Sequence, residues 1–236
     1  MILPGVGLIA TDSSRTRAYL AAMLDRELLP ACAIFLSEGQ TATTRSFPPV
    51  PYFDNSVAAL ETIRAAGIPC EVIETDDVNS PEVVDAVRNS PVDVLVYSGP
   101  GGAILRQDML NAGKRFLHVH PGLLPSFRGS TTMYYSLLVD GSCGASALFL
   151  DADIDAGPVL ATRAYPPPDD RSTIDHGYDP YIRSDLLVQV LEEYRQTGTF
   201  SALAQPDEPG ETYYIMHPVL RHLAILSNRT SETVGE

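Results

Sequence analysis

Short apolar runs that alternate with helical patterns constrain the fold of this chain more than any other feature. Apolar runs of the length expected for buried strands occur at residues 6–10, 31–36, 70–73, 92–97 and 116–120. Segments with helical spacing separate these runs, at residues 14–28, 57–67, 80–90 and 103–113. This alternation predicts an α/β fold, with a mostly parallel sheet and helices on both of its faces.

The pattern changes near residue 142. Two further strands, at residues 145–150 and 159–163, are placed to extend the sheet in the antiparallel direction. Three prolines at 166–168 then interrupt the chain, and a helix with an apolar stripe is predicted at about 181–197.

The charge balance argues against two classes of partner. The chain has 30 acidic and 16 basic side chains and a formal net charge of -14, which repels phosphate backbones and anionic membranes. We therefore expect no nucleic-acid partner and no membrane partner. The N-terminus lacks the pattern of a signal peptide, and the three cysteines lack C-x-x-C spacing. These features predict a cytoplasmic protein.

Two histidines mark the expected site. His118 and His120 stand at alternate positions of a predicted strand, so their side chains point to the same face. A Pro121-Gly122 turn follows at the carboxyl end of that strand, where parallel sheets bind ligands. An acidic loop that ends at Gly157 could bring Asp155 to the pair. Such a trio can perform acid/base and oxyanion chemistry, or it can hold a metal ion.

Two motifs carry a resemblance to a known family. The segment His-Pro-Gly-Leu-Leu-Pro-Ser-Phe-Arg-Gly at 120–129, followed by Asp-Ile-Asp-Ala-Gly at 153–157, resembles the 10-formyltetrahydrofolate-dependent formyltransferases. That family includes glycinamide ribonucleotide, methionyl-tRNA and amino-sugar formyltransferases. The similarity covers about residues 5–165. It implies a Rossmann-like formyltransferase fold, a folate site and a catalytic trio of Asn, His and Asp.

The resemblance assigns a role to each member of the trio. His120 matches the family histidine and Asp155 matches the family aspartate, whereas His118 stands where the family has asparagine. The implied reaction transfers a formyl group from 10-formyltetrahydrofolate to an amine through a tetrahedral intermediate. His120 would act as oxyanion donor or general acid/base, held in its protonation state by Asp155. An imidazole N–H of His118 could replace the asparagine amide.

The same resemblance implies further site residues. The backbone edges expected to bind the folate comprise Gly102, Ala103, Ile104, Leu105, Leu150, Asp151, Ala152 and Asp153. Contacts to the acceptor are expected from Gly122, Arg128, Gly129, Ser130 and Tyr134. If the protein transfers a formyl group, we expect no metal ligand.

The resemblance also limits the acceptor. We expect neither the additional C-terminal domain of a methionyl-tRNA enzyme nor the glycine-rich phosphate loop of a glycinamide ribonucleotide enzyme. The predicted acceptor is therefore a small-molecule amine, either an amino sugar or a biosynthetic amino acid. Three alternatives use the same residues: a metal-dependent enzyme built on His118, His120 and Asp155, a formyltetrahydrofolate hydrolase, and a non-catalytic formyltransferase-like binding protein.

The length of 236 residues allows one good core. We divide the chain into a formyltransferase-like catalytic domain at residues 1–165 and a C-terminal helical extension at 166–236. This short appendage is expected to pack on the same domain, with about the last ten residues disordered. Packing of the extension on a partner subunit, as in a homodimer, is the other arrangement that the sequence allows.

Overall fold

A computed structural model describes residues 1–37, 46–206 and 210–227 of the chain. The sequence predicts disorder for about the last ten residues. All but the first of these positions lie outside the described ranges. Within the described ranges, no helix has the length and apolar character needed to cross a bilayer.

Strands and helices alternate through the described residues. The strands are β1 (Ile2–Leu3), β2 (Val6–Ala10), β3 (Leu29–Pro30), β4 (Ala33–Ser37), β5 (Cys70–Glu74), β6 (Val94–Ser98), β7 (Arg115–His120), β8 (Phe127–Gly129), β9 (Cys143–Phe149), β10 (Val159–Tyr165) and β11 (Glu211–Tyr213). The α-helices are α1 (Ser14–Asp25), α2 (Ala59–Ala65), α3 (Pro81–Asn89), α4 (Gln107–Leu110), α5 (Thr132–Val139), α6 (Asp179–Thr197) and α7 (Pro218–Leu226).

The described residues form a central sheet of seven strands in the order β10-β9-β7-β6-β2-β4-β5. Neighbouring strands from β7 to β5 pair in parallel, and β9 runs antiparallel to both β7 and β10. The predicted α/β class, with a mostly parallel sheet, is confirmed. The two strands after residue 142 extend the sheet through antiparallel pairing, as the sequence predicts.

Helices cover both faces of the sheet. One hydrophobic cluster joins the sheet to α1, α5 and α6, through side chains such as Tyr19, Leu137 and Leu187. A second cluster joins the opposite face to α3 and α4, through Val83 and Met109 among others. Burial on both faces explains why β2 and β6, buried at every position, read as continuous apolar runs in the sequence.

Helix α4 is shorter than the helical spacing at 103–113 predicts. The preceding segment is held by Asn79, whose side chain donates to the Ile104 carbonyl and accepts the Arg106 N–H. These side-chain bonds satisfy backbone groups that a longer helix would have paired internally. The helix therefore begins at Gln107, and the 103–106 segment is free to border a cavity.

The C-terminal region contacts the domain at two places. Helix α6 packs against α1, β9 and β10. Strand β11 pairs in parallel with β8, an interaction that the sequence did not predict, and the Tyr213 carbonyl accepts the Ser130 N–H. The tail thereby reaches the Pro/Gly-rich loop after β7. The division of the chain at residue 165 stays a prediction.

Candidate active site

A cavity of about 420 Å³ lies beside the carboxyl ends of β6 and β7. Its lining comes from the loop that follows β6, the loop that follows β7, and the loop between β9 and β10. The sequence placed the expected site at the carboxyl ends of parallel strands, which is where open α/β sheets bind ligands. A cavity of this volume suits a small organic ligand.

His120 lies at the end of β7 and is 2% exposed. Its Nε2 is 2.7 Å from the Phe127 carbonyl oxygen, which can only accept, so Nε2 carries a proton and donates. Its Nδ1 faces Oδ2 of Asp155 at 3.3 Å. In the neutral imidazole Nδ1 is therefore a proton acceptor that points at a carboxylate. One additional proton between the two atoms would satisfy both.

Backbone geometry holds Asp155 in place. Its φ of 52° lies in the left-handed region, which is uncommon for a residue other than glycine. Its Oδ2 accepts the Gly129 N–H at 2.8 Å, and its carbonyl oxygen accepts from Nε2 of Gln205 at 2.7 Å. A Cβ at Gly157 would overlap the Phe149 carbonyl oxygen, so the glycine lets the loop approach β9. The loop therefore presents Asp155 to His120.

Burial sets the protonation of both histidines. Burial lowers the pKa of His120, while the Asp155 carboxylate and the bond to the Phe127 carbonyl oppose that shift. The pKa of His118 lies well below the ordinary value of 6.5, because of burial and of the positive charges of Arg183 and Arg15. Both imidazoles are therefore neutral near pH 7.

His118 is the less constrained member of the pair. It lies two residues before His120 on the same face of β7 and lines the cavity. Among the described residues, its buried Nδ1 has no hydrogen-bond partner. The hydroxyl of Tyr97, whose ring centroid lies 6.0 Å from that of His118, is likewise buried without a partner in the described ranges. These polar atoms are available to a ligand.

The structure brings most of the predicted site residues to one cavity. The three proposed catalytic side chains, all eight positions proposed for the folate, and two of those proposed for the acceptor line it: His118, His120, Asp155, Gly102, Ala103, Ile104, Leu105, Leu150, Asp151, Ala152, Asp153, Gly129 and Ser130. Their roles stay predictions, because position alone does not show what they bind.

Three residues proposed for the acceptor do not line this cavity. A Cβ at Gly122 would lie 2.9 Å from Nε2 of His120, so this glycine makes room for the imidazole. Arg128 donates to Oε1 of Gln205 at 2.7 Å. Tyr134 is 4% exposed and donates to Oδ1 of Asp175 at 2.6 Å. The geometry gives these residues supporting contacts around the site.

Residues that the sequence did not mark also line the cavity. They are Arg15, Tyr97, Arg183 and the segment Thr212 to Tyr214. Arg15 follows one of the loops expected at the site, a position that could have drawn attention to it. Arg183 lies in a helix whose apolar stripe indicated core packing, and no local signal distinguishes it from a solvated arginine.

The trio also has the composition of a metal site. One potential ligand atom from each of His118, His120 and Asp155 lies within 4.8 Å of the other two. A bond from Nε2 of His120 to a backbone carbonyl is the arrangement that commonly orients a metal-binding imidazole. The site can therefore hold either a proton or a cation between these side chains.

Comparison with known proteins gives a family and several relatives. Residues 48–175 match the sequence model of the family described as formyl transferase. A methionyl-tRNA formyltransferase from Roseiflexus sp. (strain RS-1) is 32% identical over 131 residues, which are 54% of this chain and 39% of that protein. The corresponding protein of Chloroflexus aggregans is 32% identical over 149 residues, or 62% of this chain and 45% of that protein. The match thus spans less than half the length of these curated relatives.

Solved structures share the fold at low sequence identity. A sugar N-formyltransferase from a Shewanella species has a TM-score of 0.59 at 16% identity, covering 94% of this chain and 86% of its own. The HypX protein of Aquifex aeolicus, in complex with tetrahydrofolic acid, has a TM-score of 0.59 at 15% identity, covering 95% of this chain and 34% of its own. Similarity at this level shows the fold alone.

Proposed function

Because this chain belongs to the formyl transferase family, we propose that it transfers a formyl group from 10-formyltetrahydrofolate to a small-molecule amine. The observation that carries the proposal is the contact between His120 and Asp155 at the edge of the cavity. A buried neutral imidazole that faces a carboxylate is suited to accept and return a proton during acyl transfer.

The cavity is proposed to bind the folate. Two exposed isoleucines line it, Ile104 at 62% and Ile154 at 51% exposure, and they offer apolar contacts to a flat ring. The buried hydroxyl of Tyr97 and the buried Nδ1 of His118, which have no partner among the described residues, offer hydrogen bonds to a polar ligand. Backbone groups at 102–105 and 150–153 border the same space and are suited to the polar edge of a pterin.

The reaction requires one proton to change places. The acceptor nitrogen forms a bond to the formyl carbon, the bond from that carbon to N10 of the folate breaks, and the proton lost by the amine is returned to N10. The bound donor supplies the activated formyl carbonyl, and the protein must position it, accept the proton and stabilise negative charge on the formyl oxygen.

His120 and Asp155 are proposed to carry the proton. Nε2 of His120 is committed to the Phe127 carbonyl, so Nδ1 is the ring atom that can accept. The resulting imidazolium would be stabilised by the Asp155 carboxylate at 3.3 Å. Because a backbone carbonyl fixes the tautomer, the unprotonated Nδ1 of His120 already faces Asp155 and the cavity before the substrate arrives.

His118 is proposed to donate a hydrogen bond to the formyl oxygen. The imidazole is neutral near pH 7, so one of its nitrogens carries a proton and the other does not. By the family resemblance this position would hold an asparagine, whose amide N–H performs the same task. A donor of this kind is worth about 3 kcal/mol of transition-state stabilisation.

The acceptor is proposed to be an amino sugar or an amino acid. The similar sugar N-formyltransferase from Shewanella favours a small acceptor, whereas the curated relatives are named for methionyl-tRNA. The net charge of -14 weakens long-range attraction of a tRNA. A reaction screen separates the two: the protein is incubated with 10-formyltetrahydrofolate and amino sugars, amino acids or methionyl-tRNA, and formylated products are identified by mass spectrometry. Product from small amines supports the proposal, and product from methionyl-tRNA alone contradicts it.

The convergence of the three ligand atoms within 4.8 Å favours a second candidate, a metal-dependent enzyme. Two imidazoles and one carboxylate suit Zn²⁺ or Fe²⁺, with ligand distances of about 2.0–2.2 Å. Elemental analysis of the purified protein after dialysis tests this function. A stoichiometric metal, together with activity that chelators abolish and the metal restores, would replace the formyl-transfer mechanism given above.

A further inference from the structure

Two arginines in the cavity have no role in the proton transfer. Arg183 comes from α6 and Arg15 from the first turn of α1, and both line the same cavity as His118. The side chain of Arg183 is 7% exposed. A guanidinium group is costly to bury unless its charge and its N–H groups are matched by acceptors. Its partners therefore indicate whether a ligand is needed.

The protein supplies Arg183 with an incomplete set of partners. Nη1 donates to Oδ2 of Asp179 at 3.2 Å. In the part of the chain that the structure describes, the buried Nε and Nη2 make no bond of good hydrogen-bond geometry. The hydroxyl of Tyr19, which also interacts with this guanidinium, carries no charge to balance it near pH 7. These two nitrogens form one edge of the guanidinium fork, the edge that binds both oxygens of a carboxylate or two oxygens of a phosphate.

Arg15 adds a second positive charge. Its Nε donates to Oγ of Ser98 at 3.2 Å and its Nη2 donates to the Gly99 carbonyl at 2.6 Å, and both of these acceptors are uncharged. Burial, and then the charge of Arg183, lowers the pKa of Arg15, which agrees with two neighbouring guanidinium groups. The carboxylate of Asp179 acts on both. Two guanidinium groups thus share the negative charge of Asp179, and a bound anion would offset the remaining positive charge.

We propose that Arg183 and Arg15 form an anion-binding subsite that binds a carboxylate or phosphate group of the acceptor amine. This inference rests on the proposed formyl transfer and narrows its acceptor class. Arg183, Arg15 and His118 line one cavity, and His118 is proposed to contact the formyl oxygen, so the anion would lie close to the reacting nitrogen. An amine with its acidic group a few bonds away, such as an amino acid or a phosphorylated amine, fits this arrangement. An uncharged amine leaves the subsite unmatched.

Side-chain NMR tests the subsite without requiring turnover. The Nε–H signals of Arg183 and Arg15 are followed while sodium acetate or inorganic phosphate is added at constant ionic strength. We expect saturable shifts of both signals, and the tighter of the two anions identifies a carboxylate or a phosphate subsite. Arg183→Gln and Arg183→Lys should each weaken binding by about tenfold or more. Arg26→Gln is the matched control, because Arg26 is half-exposed and pairs with Glu192 at 3.0 Å.

The Nε–H signals of the unaltered protein keep the test decisive if an Arg183 variant fails to fold. No saturable shift with either anion overturns the proposal, as does equal anion binding by folded Arg183 variants and the Arg26 control. Tetrahydrofolate alone is titrated in parallel. If it shifts both signals as phosphate or acetate does, the subsite belongs to the glutamate tail of the donor, which overturns the assignment to the acceptor.

A turnover comparison assigns the anion to the acceptor. Glycine is compared with glycinamide, and phosphoethanolamine with ethanolamine, for release of tetrahydrofolate and formation of formylated amine. We expect product only from the acidic member of a pair. Equal product from the neutral member overturns the acceptor assignment. If the anion still binds but no amine in a broad screen is formylated, the anion subsite stands and formyl transfer is rejected. Failure of the subsite and failure of the proposed function are therefore distinguishable.

Discussion

Nδ1 of His120 lies 3.3 Å from Oδ2 of Asp155, while the other ring nitrogen of His120 donates to the Phe127 carbonyl. The carbonyl fixes the tautomer, and the carboxylate stabilises the charge that appears when Nδ1 accepts a proton. Burial opposes that charge and lowers the pKa of His120, so the imidazole is neutral near pH 7. The pair is therefore poised as a base near neutral pH.

Replacement of His120 tests the proton-transfer role. His120→Asn removes the group that is proposed to accept the amine proton, and kcat should fall by about 10²–10⁴-fold. The measurement is the initial rate of tetrahydrofolate release with saturating amine. His222→Asn is the control, because His222 is exposed on α7 and does not line the cavity. A His120→Asn rate within about threefold of the unaltered enzyme would remove the imidazole from the proposed mechanism.

The charge of Asp155 should be visible in the pH dependence of kcat/KM. The carboxylate raises the pKa of His120, so Asp155→Asn should lower that pKa. Since neutral His120 is the proposed active form, the acidic limb of the profile should move to lower pH in this variant. The maximal rate should fall as well, because the imidazolium loses its charged partner. Asp85→Asn is the control, at a surface residue that pairs with Arg88, and it should leave the acidic limb at the same pH. An acidic limb that does not move in Asp155→Asn would contradict the coupling of Asp155 to His120.

Two substitutions at His118 separate hydrogen bonding from bulk. His118→Ala removes the proposed donor to the formyl oxygen and should lower kcat by about 10²–10³-fold with little change in KM. His118→Asn restores an N–H donor and should retain most of the rate. Steady-state kinetics of the two variants provide the comparison. Equal losses in both, or a change in KM alone, would assign His118 to binding or packing instead.

Burial of two neutral histidines should also affect stability. Their folded-state pKa values lie below the ordinary value of 6.5, so the unfolded chain accepts protons that the folded chain resists. Their contribution to the free energy of unfolding is complete above about pH 6.5 and is lost as the pH falls toward the folded-state values. In denaturant unfolding, the free energy of unfolding of the unaltered protein should therefore fall relative to that of His118→Asn as the pH falls from 7.5 to 5, by up to about 1.4 kcal/mol per pH unit. A constant difference would show that His118 has an ordinary pKa.

Gly157 tests how the Asp155 loop is held. A Cβ at this position would overlap the Phe149 carbonyl oxygen, so Gly157→Ala should displace the loop and lower the free energy of unfolding by about 1–3 kcal/mol. The rate of formyl transfer should fall with it. Gly141→Ala is the comparison, because a Cβ there would meet no other part of the described ranges within 4 Å, and its cost comes from a φ of 65°, about 1–2 kcal/mol. Full activity of Gly157→Ala would show that the close approach does not position Asp155.

The sequence predicted the elements whose signals are local. Alternation placed His118 and His120 on one face of a strand, and the apolar runs predicted the parallel sheet. Convergence of Asp155 on His120 was expected from the motifs and is present in the structure. Helix α4 was predicted too long because the side chain of Asn79, distant in sequence, satisfies the backbone at 104–106.

Contacts made by tertiary packing could not be predicted in this way. Arg183 reaches the cavity because α6 packs across α1 and the sheet, and helical spacing alone does not specify which neighbour a polar side chain meets. Tyr134 follows the histidine motif directly, yet its hydroxyl bonds to Asp175 outside the cavity lining. Pairing of β11 with β8 depends on a return of the chain over more than eighty residues. These arrangements depend on the whole fold.

Carbon-13-labelled 10-formyltetrahydrofolate tests the central claim most directly. The labelled donor is incubated with the enzyme and the amine selected by the screen, and carbon-13 NMR follows the label. Formyl transfer predicts that the label moves to the amine nitrogen in a 1:1 ratio to tetrahydrofolate, and that His120→Asn slows this movement by about 10²–10⁴-fold. Label that appears only as free formate, or that remains on the folate with every amine, would contradict the claim that this protein is a small-molecule formyltransferase.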